Sequence, residues 1–148
     1  MKRTFRILIA VVLVLALCTA LTACDNGKAV VGNKYKCLQG QLTLTNIEEG
    51  TGELTDEQIK EVEDEQGKVK GKYVTLTFEV DEDKEIPFAD FKELLESDRF
   101  TLNGEKMLFG NVSMVGGKSG ICLGSPFSLL FEVDKDADLN SLELKIGE

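Results

Sequence analysis

Residues 71–80, Gly71-Lys72-Tyr73-Val74-Thr75-Leu76-Thr77-Phe78-Glu79-Val80, carry the strongest structural signal in the chain. Val74, Leu76, Phe78 and Val80 alternate with Tyr73, Thr75, Thr77 and Glu79, a period of two that gathers the apolar side chains on one face of a strand. One apolar face and one polar face predict an antiparallel sheet buried on one side, as in half of a β-sandwich. Residues 127–133 repeat the pattern with Phe127, Leu129, Phe131 and Val133. After a polar loop over 134–140, Leu142, Leu144 and Ile146 alternate into a last strand.

Working outward, residues 34–47 also alternate, with Leu42, Leu44 and Asn46 facing one way and Gln41, Thr43 and Thr45 the other. Residues 48–52 read as a turn. Thr55 and Gln58 have the spacing of a capping box, which predicts a helix over 56–66. Ile59 and Val62 are its only apolar contacts, so the helix is expected to be a solvated insertion; an acidic docking surface is the alternative. Pro87 followed by Phe88, Phe91 and Leu95 at helical spacing predicts a short helix over 88–96 that caps one end of the core. An aromatic ligand slot made by Phe88 and Phe91 is the competing reading. Asn103-Gly104 between 99–102 and 105–109 is a hairpin signal, because both residues accept the positive φ of a type I′ turn. Residues 112–115 are expected to extend that pairing, 116–120 to form a loop, and 121–123 to begin another strand. The expected fold is mainly β: about seven short antiparallel strands in a sandwich, with two short helical insertions and no internal repeat.

The N-terminus is of another kind. Lys2, Arg3 and Arg6 precede an apolar run, Ile7–Leu17, and then small residues, the three-part plan of a helical secretory signal. The run is about 11 residues, short of the roughly 20 that span a bilayer; a transmembrane helix extended to Leu21 is the alternative. Leu21-Thr22-Ala23-Cys24 resembles the lipobox of bacterial lipoproteins. The resemblance implies that residues 1–23 are removed and that the Cys24 sulfur carries a diacylglycerol. An ordinary signal peptide with a chance cysteine is the other reading. Acyl chains contribute about 0.8 kcal/mol per buried methylene, so two or three anchor firmly where one is marginal. The division that follows is a signal peptide over 1–23, a lipidated tether over 24–33 and a folded domain over 34–148, held at the cell membrane on its extracytoplasmic side. Asp25 resembles the inner-membrane retention signal of Gram-negative lipoproteins and carries no such meaning in a Gram-positive cell.

Segments 73–80, 124–133 and 142–146 together resemble the small immunoglobulin-like domains of unknown function found in bacterial lipoproteins. That resemblance implies a β-sandwich and an extracytoplasmic role, with no activity attached. Residues 48–70 and 81–98 depart from it.

Composition narrows the function classes. The 148-residue chain has 17 Lys and Arg against 26 Asp and Glu, a formal charge of −9. Loss of residues 1–23 removes Lys2, Arg3 and Arg6 but no acid, which takes the charge to about −12. Such a surface repels nucleic acid and anionic lipid. Of the four cysteines, Cys18 leaves with the signal and Cys24 is the lipid site. Cys37 and Cys122 remain in a compartment that permits a disulfide. A bridge would close a loop of about 85 residues and contribute roughly 4–5 kcal/mol in the chain-entropy model; two separate buried thiols are the alternative.

The chain has no histidine, hence no general base of ordinary pKa near neutrality and no common partner for a nucleophilic serine or cysteine. No catalytic residue set, cofactor or metal site is expected. Gly117-Lys118-Ser119 matches the end of a phosphate-binding loop, but Val112 stands where the first glycine belongs. Asp134, Asp136, Asp138 and Asn140 have the alternating spacing of a calcium loop, yet Leu139 and Lys145 occupy the positions that need glycine and glutamate. The expectation is a non-catalytic binding or accessory module whose partner is an envelope protein, peptide or polymer. The alternative is a small-ligand or calcium-binding envelope protein, with a cavity lined by Phe78, Phe100 or Phe131 or with the Asp134–Asp138 loop as its site.

Overall fold

The computed structural model describes residues 26–147. The expected signal peptide over 1–23 and the lipid-site Cys24 lie outside the described residues. Within them the protein is mainly β, with two α-helices and one curled antiparallel sheet. Its strands are β1 (Asn26–Lys28), β2 (Lys34–Cys37), β3 (Gly40–Glu49), β4 (Lys72–Val80), β5 (Phe100–Leu102), β6 (Glu105–Asn111), β7 (Met114–Gly117), β8 (Gly120–Leu123), β9 (Phe127–Val133) and β10 (Glu143–Ile146). Helices α1 (Asp56–Gln66) and α2 (Phe88–Glu96) match the two expected spans.

Eight strands pair in the order β1-β10-β5-β6-β9-β4-β3-β2, and β7 and β8 form a separate two-stranded ribbon. The sequence anticipates two stacked sheets, whereas this ladder is continuous. It passes through β6, whose first residues pair with β5 and whose later residues pair with β9 across an irregularity between Met107 and Phe109. The curl follows from connectivity. Were the sheet flat, β1 and β2 would be about 34 Å apart, at roughly 4.8 Å per strand. The link from Lys28 to Lys34 reaches at most about 21 Å. The sheet therefore wraps until its edges meet, and the link bonds to both sides: Ala29 N donates to Leu142 O (2.7 Å) and Gly32 N to Leu44 O (2.7 Å).

Four local readings change. Residues 112–115 do not extend the 99–109 hairpin, because Met114–Gly117 pairs instead with Gly120–Leu123. The 34–47 segment is two strands, because Leu38 adopts a positive φ of 54° and closes a tight turn back to Gly40. Gly40 is required there because any side chain would run into Ile86. Further along β3, a register shift between Leu44 and Asn46 leaves Asn46 exposed and turns Ile47 toward the core. The expected tether is also shorter: residues 26–28 are a strand paired with 143–145 of β10, so only Asp25 stands between Cys24 and the first strand.

Inside the curl lie the expected apolar faces. Leu42, Leu44, Val74, Leu76, Phe78, Leu129, Phe131, Val133, Leu142 and Leu144 are all buried. Helix α2 closes one end by inserting Phe91, whose ring meets Phe100 edge-on at 5.7 Å and Phe127 at 5.2 Å; Phe127 in turn stacks on Phe78 at 5.4 Å. Phe91 is thus a plug of the core, and Phe88 packs partly buried against the same cluster.

The polar helix α1 is more than a solvated insertion. Its capping box is complete: Gln58 N donates to Thr55 Oγ1 (3.3 Å) and Thr55 N to Gln58 Oε1 (2.9 Å). Its Val62 is buried outside the main core cluster, as are Thr75 and Leu130, which pair across β4 and β9 on the face that alternation alone reads as wet. The Thr75 hydroxyl donates to Gly50 O (2.8 Å).

Candidate functional site

Because every neighbouring pair is antiparallel, β1, β5, β9 and β3 run one way and β10, β6, β4 and β2 the other. The described chain therefore starts at one end of the sheet, here the proximal end. The β2–β3 turn, the segment bearing α2 and the β7–β8 ribbon all belong to that end. The β1–β2 link, the segment bearing α1, the Asn103-Gly104 turn and the 134–142 loop belong to the distal end.

At the distal end the entry to β4, the Asn103-Gly104 turn and the 134–142 loop border an open cleft of about 800 Å³, lined by Lys70, Asn103, Glu105, Glu132, Asp134 and Asp136 among others. Its walls are fixed by hydrogen bonds. Asn103 N donates to Glu143 O and Glu143 N to Asn103 Oδ1, both at 2.8 Å, which binds the hairpin turn to β10. The Glu132 carboxylate accepts from Lys70 N (2.7 Å) and Gly71 N (2.8 Å), which holds the entry to β4 against β9. Asp138 accepts from Asn140 N (3.0 Å) and Asn140 Nδ2 (3.1 Å), shaping the short 3₁₀ turn at Leu139–Ser141. That carboxylate is spent on the backbone of its own turn. Among the described residues no group of three or more acidic or cysteine side chains is gathered as a metal ligand set.

The internal ligand pocket expected around Phe78, Phe100 and Phe131 is likewise filled. All three are buried at 1% exposure or less, and the aromatic rings of the core touch one another.

At the proximal end the ribbon is tied down by Glu85, a residue that no sequence pattern singles out. Its carboxylate accepts from Lys118 N (3.0 and 3.1 Å) and from the Cys122 thiol (3.7 Å). The Lys118 amide first, and those of Ser119 and the Cys122 thiol with it, hold the Glu85 carboxyl below the usual glutamate range, against the opposing effect of desolvation. A side chain at Gly117 would strike both the Glu85 carboxylate and the Cys122 sulfur, so glycine is needed for this approach. The Gly117-Lys118-Ser119 stretch is the turn of a ribbon whose amides are aimed at an internal carboxylate.

The Cys37–Cys122 disulfide expected from the sequence is not formed; both residues are free thiols. Cys37 belongs to the main apolar cluster, where burial pushes its thiol up to about 12. Cys122 lies outside that cluster against Glu85, and its thiol is raised by desolvation and by the neighbouring carboxylate. The two thiols answer to different neighbours, and neither has the depressed pKa of a reactive nucleophile.

Sequence reasoning also missed the exposed apolar side chains Met114, Val115 and Ile121, on either side of the Gly-Gly-Lys-Ser-Gly turn. Their signal was present: three large apolar residues flanking a turn too short to hide them. Among the described residues no helix is long and apolar enough to cross a membrane. No protein-family model matches this chain, and no curated protein or solved structure matches it.

Proposed function

We propose that the protein is a lipid-anchored, extracytoplasmic binding module, attached through Cys24 and presenting its distal cleft to an envelope partner. The observation that carries this reading is the polarity of the fold. The chain enters the sheet at one end, two residues after Cys24, and the open polar cleft lies at the other. An anchor at the first end directs the second away from the membrane. Support for the anchor comes from the basic, apolar and small-residue succession that ends in Leu21-Thr22-Ala23-Cys24.

A non-catalytic role accords with the chemistry on view. The chain lacks histidine, its core is filled, and the cleft's Glu132 and Asp138 carboxylates are engaged by backbone amides. The cleft is rimmed by loops over a fixed sheet, where binding surfaces on β scaffolds commonly sit. Its exposed Glu105, Asp134 and Asp136 outnumber Lys70 and Lys135, which favours a partner segment carrying basic groups.

The test is site-directed photo-crosslinking in the native envelope, with the photoreactive residue at Asp136 in the cleft and at Glu79 elsewhere as control. A discrete adduct at 136 that is absent at 79 is the expected result. Identical, diffuse labelling at both positions would contradict the assignment of the cleft.

A further inference from the structure

We infer that the β7–β8 ribbon is a second membrane contact, seating Met114 and Ile121 in the headgroup region of the bilayer that holds the lipid anchor. The inference rests on the lipidated reading of Cys24 and adds to it a defined docking face.

Two independent facts meet at the proximal end. The first is where the undescribed chain joins the fold. Asn26 opens β1 and is paired with Lys145, so a lipidated Cys24 lies at most about 7 Å of chain from the edge of the sheet. A tether that short cannot lift the domain clear of the headgroups, and the proximal end must rest on them.

The second is the distribution of exposed apolar side chains. Among the described residues the large exposed ones are Val30, Val31, Leu38, Met114, Val115 and Ile121. Leu38, Met114, Val115 and Ile121 belong to proximal connections: the β2–β3 turn and the ribbon between β6 and β9. Met114 and Ile121 are the most exposed, at 60% and 65%.

The register of the ribbon sets their orientation. Val115 pairs with Cys122 and Gly117 with Gly120, so these four share one face; Met114, Gly116 and Ile121 share the other with Leu123. Glu85 holds the first face through the Cys122 thiol and the Gly117–Lys118 backbone. At its base the other face enters the core through Leu123, while Met114 and Ile121 stay exposed on a ribbon whose opposite face is held by Glu85.

Charge chooses the mode of attachment. A domain at about −12 gains nothing from Coulomb attraction to anionic lipid, so a second contact must be apolar. Lys118, next to the apolar pair, has a stem long enough to keep its ammonium among phosphates while Met114 and Ile121 sit below them.

The chain has no tryptophan, so one introduced residue is a clean reporter. The full lipidated protein, carrying Ile121→Trp, Met114→Trp or, as the distal control, Asp136→Trp, is reconstituted into phosphatidylcholine vesicles with and without brominated acyl chains. The expected result is a blue shift and loss of emission at 121 and 114 in brominated vesicles, with neither change at 136. Protein that floats with the vesicles while 121 and 114 stay unquenched would overturn the ribbon contact and leave the anchor standing. A blue shift at 121 without quenching would also overturn it, because the face would then be covered by protein, a second copy included. Failure to float, matched by a Cys24→Ala form that behaves identically, would overturn the anchor and this inference with it.

Discussion

The most informative single residue is Glu85, because it is polar, partly covered and ties together two segments that sequence alone leaves unrelated. Its carboxyl is held low by hydrogen bonds made only in the folded ribbon. A depressed carboxyl stabilises the fold above its ordinary pKa, and that stabilisation is lost as pH falls through the lowered folded value. We predict that the Lys118 amide resonance stays native-like through the ordinary glutamate range and moves only below it. In Glu85→Gln the same resonance should be insensitive to acid. Movement of the wild-type resonance at the ordinary glutamate pKa would show that the carboxylate gains nothing from the ribbon amides. Cys37 supports a second residue-scale prediction. With its thiol buried and pushed up to about 12, it should resist alkylation in the native protein at pH 8. It should react fully after unfolding without reductant; a linked Cys37–Cys122 peptide under non-reducing mass analysis would contradict the free thiols.

At the scale of elements, the chain is most legible where one face alone decides. β4, β9 and β10 show their alternation openly, and the two helices announce themselves through Thr55, Gln58 and Pro87. What stayed hidden depends on partners far along the chain. β1 is a strand only because β10 lies beside it, and nothing in Asn26-Gly27-Lys28 has a period to read. The break between β2 and β3 rests on Leu38 at positive φ, where a turn motif would ordinarily show asparagine or glycine. Thr75 reads as solvent-facing until the segment leading into α1 covers it. The distal cleft was half visible, as an acidic loop, whereas its opposite wall at Lys70 and Asn103 comes from elements distant in sequence. Two substitutions test these elements. Phe91→Ala removes the plug that touches Phe100 and Phe127 and should cost about 3–5 kcal/mol in a denaturant melt. Thr55→Ala removes the cap of α1 and should cost about 1 kcal/mol. A Phe91→Ala protein as stable as wild type would place the core elsewhere.

For the whole molecule, one topological fact organises the account. Eight antiparallel strands whose outer members are joined by the short 29–33 link must curl on themselves, and the alternation of direction then sorts every connection to one of two ends. The entry of the chain, the plug α2 and the apolar ribbon share the proximal end, and the cleft and its acidic loop take the distal one. A lipid on Cys24 would make that sorting functional, with one end against the bilayer and the other facing outward. The most direct measurement is the intact mass and N-terminal peptide of protein extracted from its native membranes. The account predicts a chain that begins at Cys24 and carries the added mass of a diacylglycerol on it. A chain that retains residues 1–23, or that begins elsewhere with Cys24 unmodified, would contradict it.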